Sequence, residues 1–119
     1  MHELSIAQAI VDVATRHAGE ARVERVQVTI GRLRQVVPSA LAFSFELCAH
    51  GTSVQGAELE IEHVAIGAVC RSCETESELA AFPLACPACG SLAVDVVRGE
   101  ELQVESLELS EALMMTSGG

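Results

Sequence analysis

The chain has 119 residues, with 17 acidic side chains against 7 basic ones for a formal charge of −10, and half of its residues are apolar. That length suits one ordinary domain, or a domain with a small satellite. The charge argues against a nucleic-acid surface, which needs clustered Lys and Arg, and against docking on anionic membrane. No apolar run approaches the ~20 residues of a membrane-spanning helix. The opening MHELSIAQAI has neither the basic flank nor the small-residue cleavage site of a signal peptide, so a cytoplasmic protein is expected. With no Trp, no Tyr and three Phe, the core has to come from Val, Leu, Ile and Ala.

Leu4, Ala7, Val11 and Ala14 repeat at helical spacing, which predicts a helix from about Leu4 to His17, with Gly19 as its stop. Val23 to Leu33 reads as a strand, because Val26, Val28 and Ile30 alternate with Gln27 and Thr29. Pro38 and Ser39 open a second helix in which Leu41, Phe45 and Cys48 share a face, and Gly51 closes it. A strand over Ala57 to Ala65 sets Leu59 and Ile61 against Glu58, Glu60 and Glu62. One wet face of that kind favours an antiparallel or mixed sheet. Periodicity is lost from Val69 to about Leu92. Strands resume at Ala93 to Arg98 and Glu101 to Leu109, the last with a phase break near Glu105 and Ser106 that a bulge would reconcile. The tail from Thr116 to Gly119 is expected to be disordered. The pattern predicts an α+β fold: two helices on a small mixed or antiparallel sheet, interrupted by a mini-domain too small to have a core of its own.

That insert reads Cys70-Arg71-Ser72-Cys73, twelve residues, then Cys86-Pro87-Ala88-Cys89-Gly90. Each C-x2-C turn converges two thiolates on one ion, and Gly90 suits the left-handed position that follows such a turn. Four thiolates select zinc or iron; a tetrahedral zinc shell of four cysteines is closed and structural, while an iron site of rubredoxin type has the same ligands. A thioredoxin-like motif would need a single C-x-x-C at a strand-to-helix junction, and disulfides are disfavoured in the cytosol. Cys48, on an apolar helical face, reads as a small hydrophobe.

His2 and Glu3 stand directly before the first helix. An imidazole at position two can close a chelate with its own backbone nitrogen and its neighbours, a planar nitrogen set suited to Ni(II) or Cu(II). Taken alone, the plainer reading is favoured: a polar pair at a helix start, with Glu3 meeting the positive end of the helix dipole. His17 and His50 read as helix C-terminal caps and His63 as a core or edge histidine. Glu74, Glu76 and Glu78 read as a solvated face. No phosphate loop, nucleophile elbow or catalytic carboxylate pair is visible, which points away from an enzyme.

Met1-His2-Glu3-Leu4-Ser5, the helix and Val-rich strand after it, the Cys70/Cys73/Cys86/Cys89 pattern and the closing strand Leu102 to Leu109 together resemble the HypA/HybF family of nickel metallochaperones for hydrogenase maturation. The resemblance spans essentially the whole chain. It implies that His2 is a nickel ligand, that the backbone nitrogens of His2 and Glu3 lie beside it, and that the Glu3 side chain supports delivery. Cys70, Cys73, Cys86 and Cys89 become the ligands of a structural Zn(2+), with Ni(2+) as cargo. It further implies an α/β-type nickel-binding domain at 1–66 plus 99–119, with a zinc-ribbon-like zinc-binding domain inserted at 67–98. Nickel would pass, with a nickel-handling GTPase, to the precursor of the [NiFe]-hydrogenase large subunit. The chain departs from some relatives at Val36-Val37-Pro38, where an acidic nickel ligand is missing, and in lacking histidines beside the zinc cysteines. Monomer and homodimer both remain open. The rivals to this reading are a zinc-ribbon adaptor that binds only proteins and a redox enzyme using its cysteine pairs.

Overall fold

In a computed structural model, residues 2–80 and 82–110 are described; the expected disorder at Thr116 to Gly119 falls outside them. The element order is α1 (His2–Ala18), β1 (Val23–Gly31), a 3-10 turn (Arg32–Arg34), α2 (Pro38–Ala49), β2 (Glu58–Val64), β3 (Ile66–Cys70), β4 (Glu76–Leu79), β5 (Val94–Arg98) and β6 (Leu102–Leu109). The α+β class expected from periodicity is therefore present. The strands, however, form two three-stranded sheets rather than one, ordered β2-β1-β6 and β4-β3-β5. Two compact units result: residues of Met1–Thr29, Val36–Glu62 and Gln103–Gly119 in the first, Ile30–Gln35 and His63–Leu102 in the second.

In the first unit α1 packs against α2. Ala7, Ile10, Val11 and Ala14 are the buried stripe of α1, and Leu41, Phe45 and Ala49 that of α2. Cys48 is only half-buried, one position off the sealed stripe. The Nδ1 of His17 lies 3.0 Å from the Val13 carbonyl, in keeping with a role at the helix end. Along β1, Val26 and Val28 are sealed from solvent, the apolar face that alternation requires.

In the second unit β3 pairs antiparallel with β4, Ile66 opposite Leu79 and Val69 opposite Glu76, and with β5, Cys70 opposite Val94. Ile66, Ala68 and Leu79 form its buried cluster, with Leu33, Leu84 and Val94 packed around them. This small core is more than the sequence leads one to expect of the insert. Among the acids read as a solvated face, Glu76 pairs with Arg98 at 2.7 Å.

Gly31, at the end of β1, lies hard against the backbone of Gly99. Its N–H donates to the Glu101 carbonyl at 2.8 Å, and Leu33 N–H donates to the Gly99 carbonyl at 2.9 Å. A Cβ on Gly31 would sit 1.9 Å from the Gly99 carbonyl oxygen. Gly31→Ala is expected to cost about 3 kcal/mol or more, since backbone must move. At Gly67 the three nearest atoms an added Cβ would meet all belong to the Arg98 side chain, which can shift at the expense of its pair with Glu76, so Gly67→Ala should cost less. Denaturant unfolding of the two variants side by side measures the contrast, and equal losses would refute it.

Candidate metal centre

The four cysteines come from two tight turns of the second unit. Cys70 is the last residue of β3. Its N–H donates to the Thr75 carbonyl and its own carbonyl accepts the Glu74 N–H at 2.8 Å, closing the first turn. The second repeats the pattern: Cys86 N–H donates to the Ser91 carbonyl, and its carbonyl accepts the Gly90 N–H at 2.7 Å. Both turns end on a left-handed residue, Gly90 at φ 79° and Glu74 at φ 65°. Glycine suits that position as the sequence predicts, but the first turn holds it without one.

All four Sγ atoms lie within 4.8 Å of one another. The shortest separations run between the turns, 3.6 Å for Cys70–Cys89 and 3.6 Å for Cys73–Cys86. Zinc–sulfur bonds of about 2.3 Å set tetrahedral edges of ~3.8 Å, so the cluster has the dimensions of a four-thiolate shell. Cys70 and Cys86 are buried while Cys73 and Cys89 are exposed.

The electrostatics also favour a cation. The Cys73 and Ser72 amides, 3.4 and 3.3 Å from Cys70 Sγ, pull the Cys70 thiol down to about 6 against the opposing effect of burial. The Thr75 hydroxyl and then its amide hold the Cys73 thiol below its ordinary value. At Cys89 the Ser91 amide acts in the same direction, but the neighbouring Cys70, burial, and the Cys73 and Cys86 sulfurs outweigh it and push the thiol up to about 12. Four sulfurs this close cannot all ionise unless a positive ion shares the charge. The donor set fits a zinc ion.

His2 and Glu3 are placed differently from the sequence expectation. They lie inside α1, which begins at His2, and not ahead of it. The His2 side chain is about half exposed (52%) and its Nε2 is 3.6 Å from Glu3 Oε2. The Glu3 carboxylate accepts the Val37 N–H at 3.1 Å, and that bond, followed by one from its own amide, holds its carboxyl below the usual range. Val37 is the N-cap residue of α2 and receives no side-chain cap within its own helix. In a capping box the N-cap amide is met by an acid three residues on; here that position is Ala40, and Glu3 of α1 supplies the carboxylate instead. This link had no local signal, because the partners are 34 residues apart.

Among the described residues the four cysteines are the only group of three or more His, Cys, Asp or Glu donors close enough to share one ion. His2 therefore has no such side-chain set around it. No helix among the described residues is long and apolar enough to cross a membrane.

The family model described as "Hydrogenase/urease nickel incorporation, metallochaperone, hypA" matches residues 1–109. The chain is 48% identical over 109 residues to hydrogenase maturation factor HypA of Geotalea uraniireducens, covering 92% of this chain and 99% of that protein. It is 44% identical to the HypA of Chlorobium limicola over 115 residues, 93% of this chain and 98% of the relative. Among solved structures, the solution structure of the Ni metallochaperone HypA from Helicobacter pylori matches with a TM-score of 0.64 at 27% identity, over 90% of this chain and 96% of that one. A further solution structure of a HypA protein matches with a TM-score of 0.65 at 28% identity, over 92% of this chain and 97% of that one.

Proposed function

Because the chain belongs to the HypA family of hydrogenase/urease nickel-incorporation metallochaperones, we propose that it takes up Ni(II) at His2 and hands it on by ligand exchange. The acceptor is the large-subunit precursor of a [NiFe]-hydrogenase, reached with a nickel-handling GTPase, in the cytoplasm. The observation that carries this reading is the position of His2 at the first turn of α1 with its ring half exposed. The first four N–H groups of a helix have no acceptor within the helix. Backbone nitrogens there can turn to a metal without breaking an intrahelical bond, and a planar nitrogen set suits Ni(II).

Cys70, Cys73, Cys86 and Cys89 hold a structural Zn(2+), with 67–98 as the zinc-binding domain set into the nickel-binding remainder. Bound zinc supplies charge neutralisation and closure of the shell, and no reactive position. The chain's own part is to bind, orient and release; no covalent step on a substrate is required. Glu3, occupied by the Val37 amide, holds the start of α1 in place and is a positioning residue for His2.

Equilibrium dialysis of the untagged, zinc-loaded chain against Ni(II) tests the reading. One nickel per chain is expected above the retained zinc. Zinc retention with no nickel uptake would instead identify a zinc-ribbon adaptor.

A further inference from the structure

The sheet β2-β1-β6 has a second face, opposite the one that Val26 and Val28 seal. On β1 that face carries Arg25, Gln27 and Thr29 in succession. Arg25 is held by three carboxylates at once: Glu58 at 3.2 Å and Glu60 at 3.1 Å from β2, and Glu108 at 3.0 Å from β6. These neighbours, Glu108 foremost, raise its pKa further. One step along, Gln27 donates to Glu60 at 2.9 Å and accepts from Ser106. One step further the pattern of flanking acids recurs without a cation. An open depression of about 230 Å³ lies there, bordered by Gln27, Thr29, Glu60, Glu62 and Glu105.

Thr29 is the independent sign that this depression is built for a ligand. It is 7% exposed, a buried polar side chain in a strand whose neighbours are apolar. Among the described residues its hydroxyl makes no hydrogen bond. Nor is that oxygen sealed away from solvent, since no fully enclosed side-chain polar atom among the described residues lacks a partner. The hydroxyl therefore opens on the depression that Thr29 borders. Beside it, the Glu62 carboxylate makes no hydrogen bond or ion pair among the described residues.

We propose that this face docks a partner protein through an arginine side chain of that partner, seated in the depression between Glu62 and Glu105 with Thr29 accepting one guanidinium N–H. The volume is several times the ~30 Å³ share of a water, ample for a guanidinium. Arg25 is the precedent one rung away: the same sheet face already holds a planar five-donor group between glutamates, a geometry that an ammonium does not match. A divalent ion fits less well, because no three acids at this place converge on one point. A second copy of a chain carrying −10 is disfavoured by repulsion. The proposal involves no nickel and stands apart from the function proposed above.

The test is a backbone-amide NMR titration of the full zinc-loaded, nickel-free chain at low salt. The probes are the blocked peptides acetyl-Gly-Arg-Gly-amide and acetyl-Gly-Lys-Gly-amide, with Mg²⁺ as a third arm. The arginine peptide should shift the amides of Gln27, Thr29, Glu62 and Glu105 and bind about threefold or more tighter than the lysine peptide. Glu62→Gln with Glu105→Gln should weaken it about tenfold, and Thr29→Val, which changes no charge, about threefold. Glu20→Gln with Glu46→Gln, exposed acids elsewhere in the unit, should leave it unchanged, with zinc content and spectral dispersion confirming the fold of every variant. Equal binding of the two peptides, equal loss in the control pair, or the same shifts from Mg²⁺ at lower concentration would each overturn the proposal.

Discussion

Cys70→Ser should release the zinc and unfold the second unit while leaving α1 and α2 in place. Cys70 is 1% exposed and ends the central strand of β4-β3-β5, so its loss strikes the shell and the sheet together. The apolar residues left to hold the unit are few. Ile66 and Leu79 are the large members of its buried cluster, and burying each contributes about 1.5–3 kcal/mol. Metal binding in comparable small sites contributes ~10–16 kcal/mol. The cluster cannot make up that difference. Metal analysis after desalting should show the zinc gone, and hydrogen exchange should show protection lost across 63–102 but kept at Ile10, Val11, Leu41 and Phe45. Full zinc retention with native exchange would end the four-thiolate assignment.

His2→Ala should abolish nickel uptake by the untagged chain, weakening it by more than the ~10–100-fold typical of losing a group that merely supports a ligand. Zinc content and unfolding midpoint should not change, because the ring is half exposed and its close ionic contact among the described residues is with Glu3. Glu3 variants separate binding from placement. Glu3→Gln keeps an oxygen for the Val37 amide and should retain most nickel affinity. Glu3→Ala loses that acceptor and should lower the unfolding midpoint, as loss of a helix cap does, with weaker nickel binding as a consequence of a looser α1 terminus. Isothermal titration with Ni(II) and thermal unfolding of the three variants give both readouts. Wild-type nickel affinity in His2→Ala would place the cargo site elsewhere.

Much of this was readable from residue spacing, and the exceptions share a cause. The buried stripes of α1 and β1 follow from Ala7, Val11 and Ala14 and from Val26 and Val28, because regular elements repeat their burial. The cysteine cluster follows from two C-x2-C pairs, because the geometry of each pair is local. β4 carries no legible signal: Glu76–Leu79 is four residues long and presents two glutamates, so its alternation is too short to register, and only pairing with β3 makes it a strand. The start of α1 at His2 is hidden from the sequence for a related reason. The carboxylate that ties this terminus down meets an amide 34 residues away, and no nearby sequence feature announces it. Thr29 likewise looks like an ordinary strand residue until the flanking acids of β2 and β6 are placed on either side of it.

The sulfur pairing within the cluster has a bearing on how the protein fails. The two 3.6 Å contacts, Cys70 with Cys89 and Cys73 with Cys86, each join one turn to the other. An oxidant that meets the thiolates as the ion leaves, before the unit loses its fold, would therefore staple the two turns together across the site, since a bond of about 2.05 Å needs only a modest closing of those distances. Such a molecule would keep the outline of the native unit yet refuse zinc until a reductant reopened it. Shape and competence would part company, and a preparation judged by its folded appearance alone could be inert as a metal carrier.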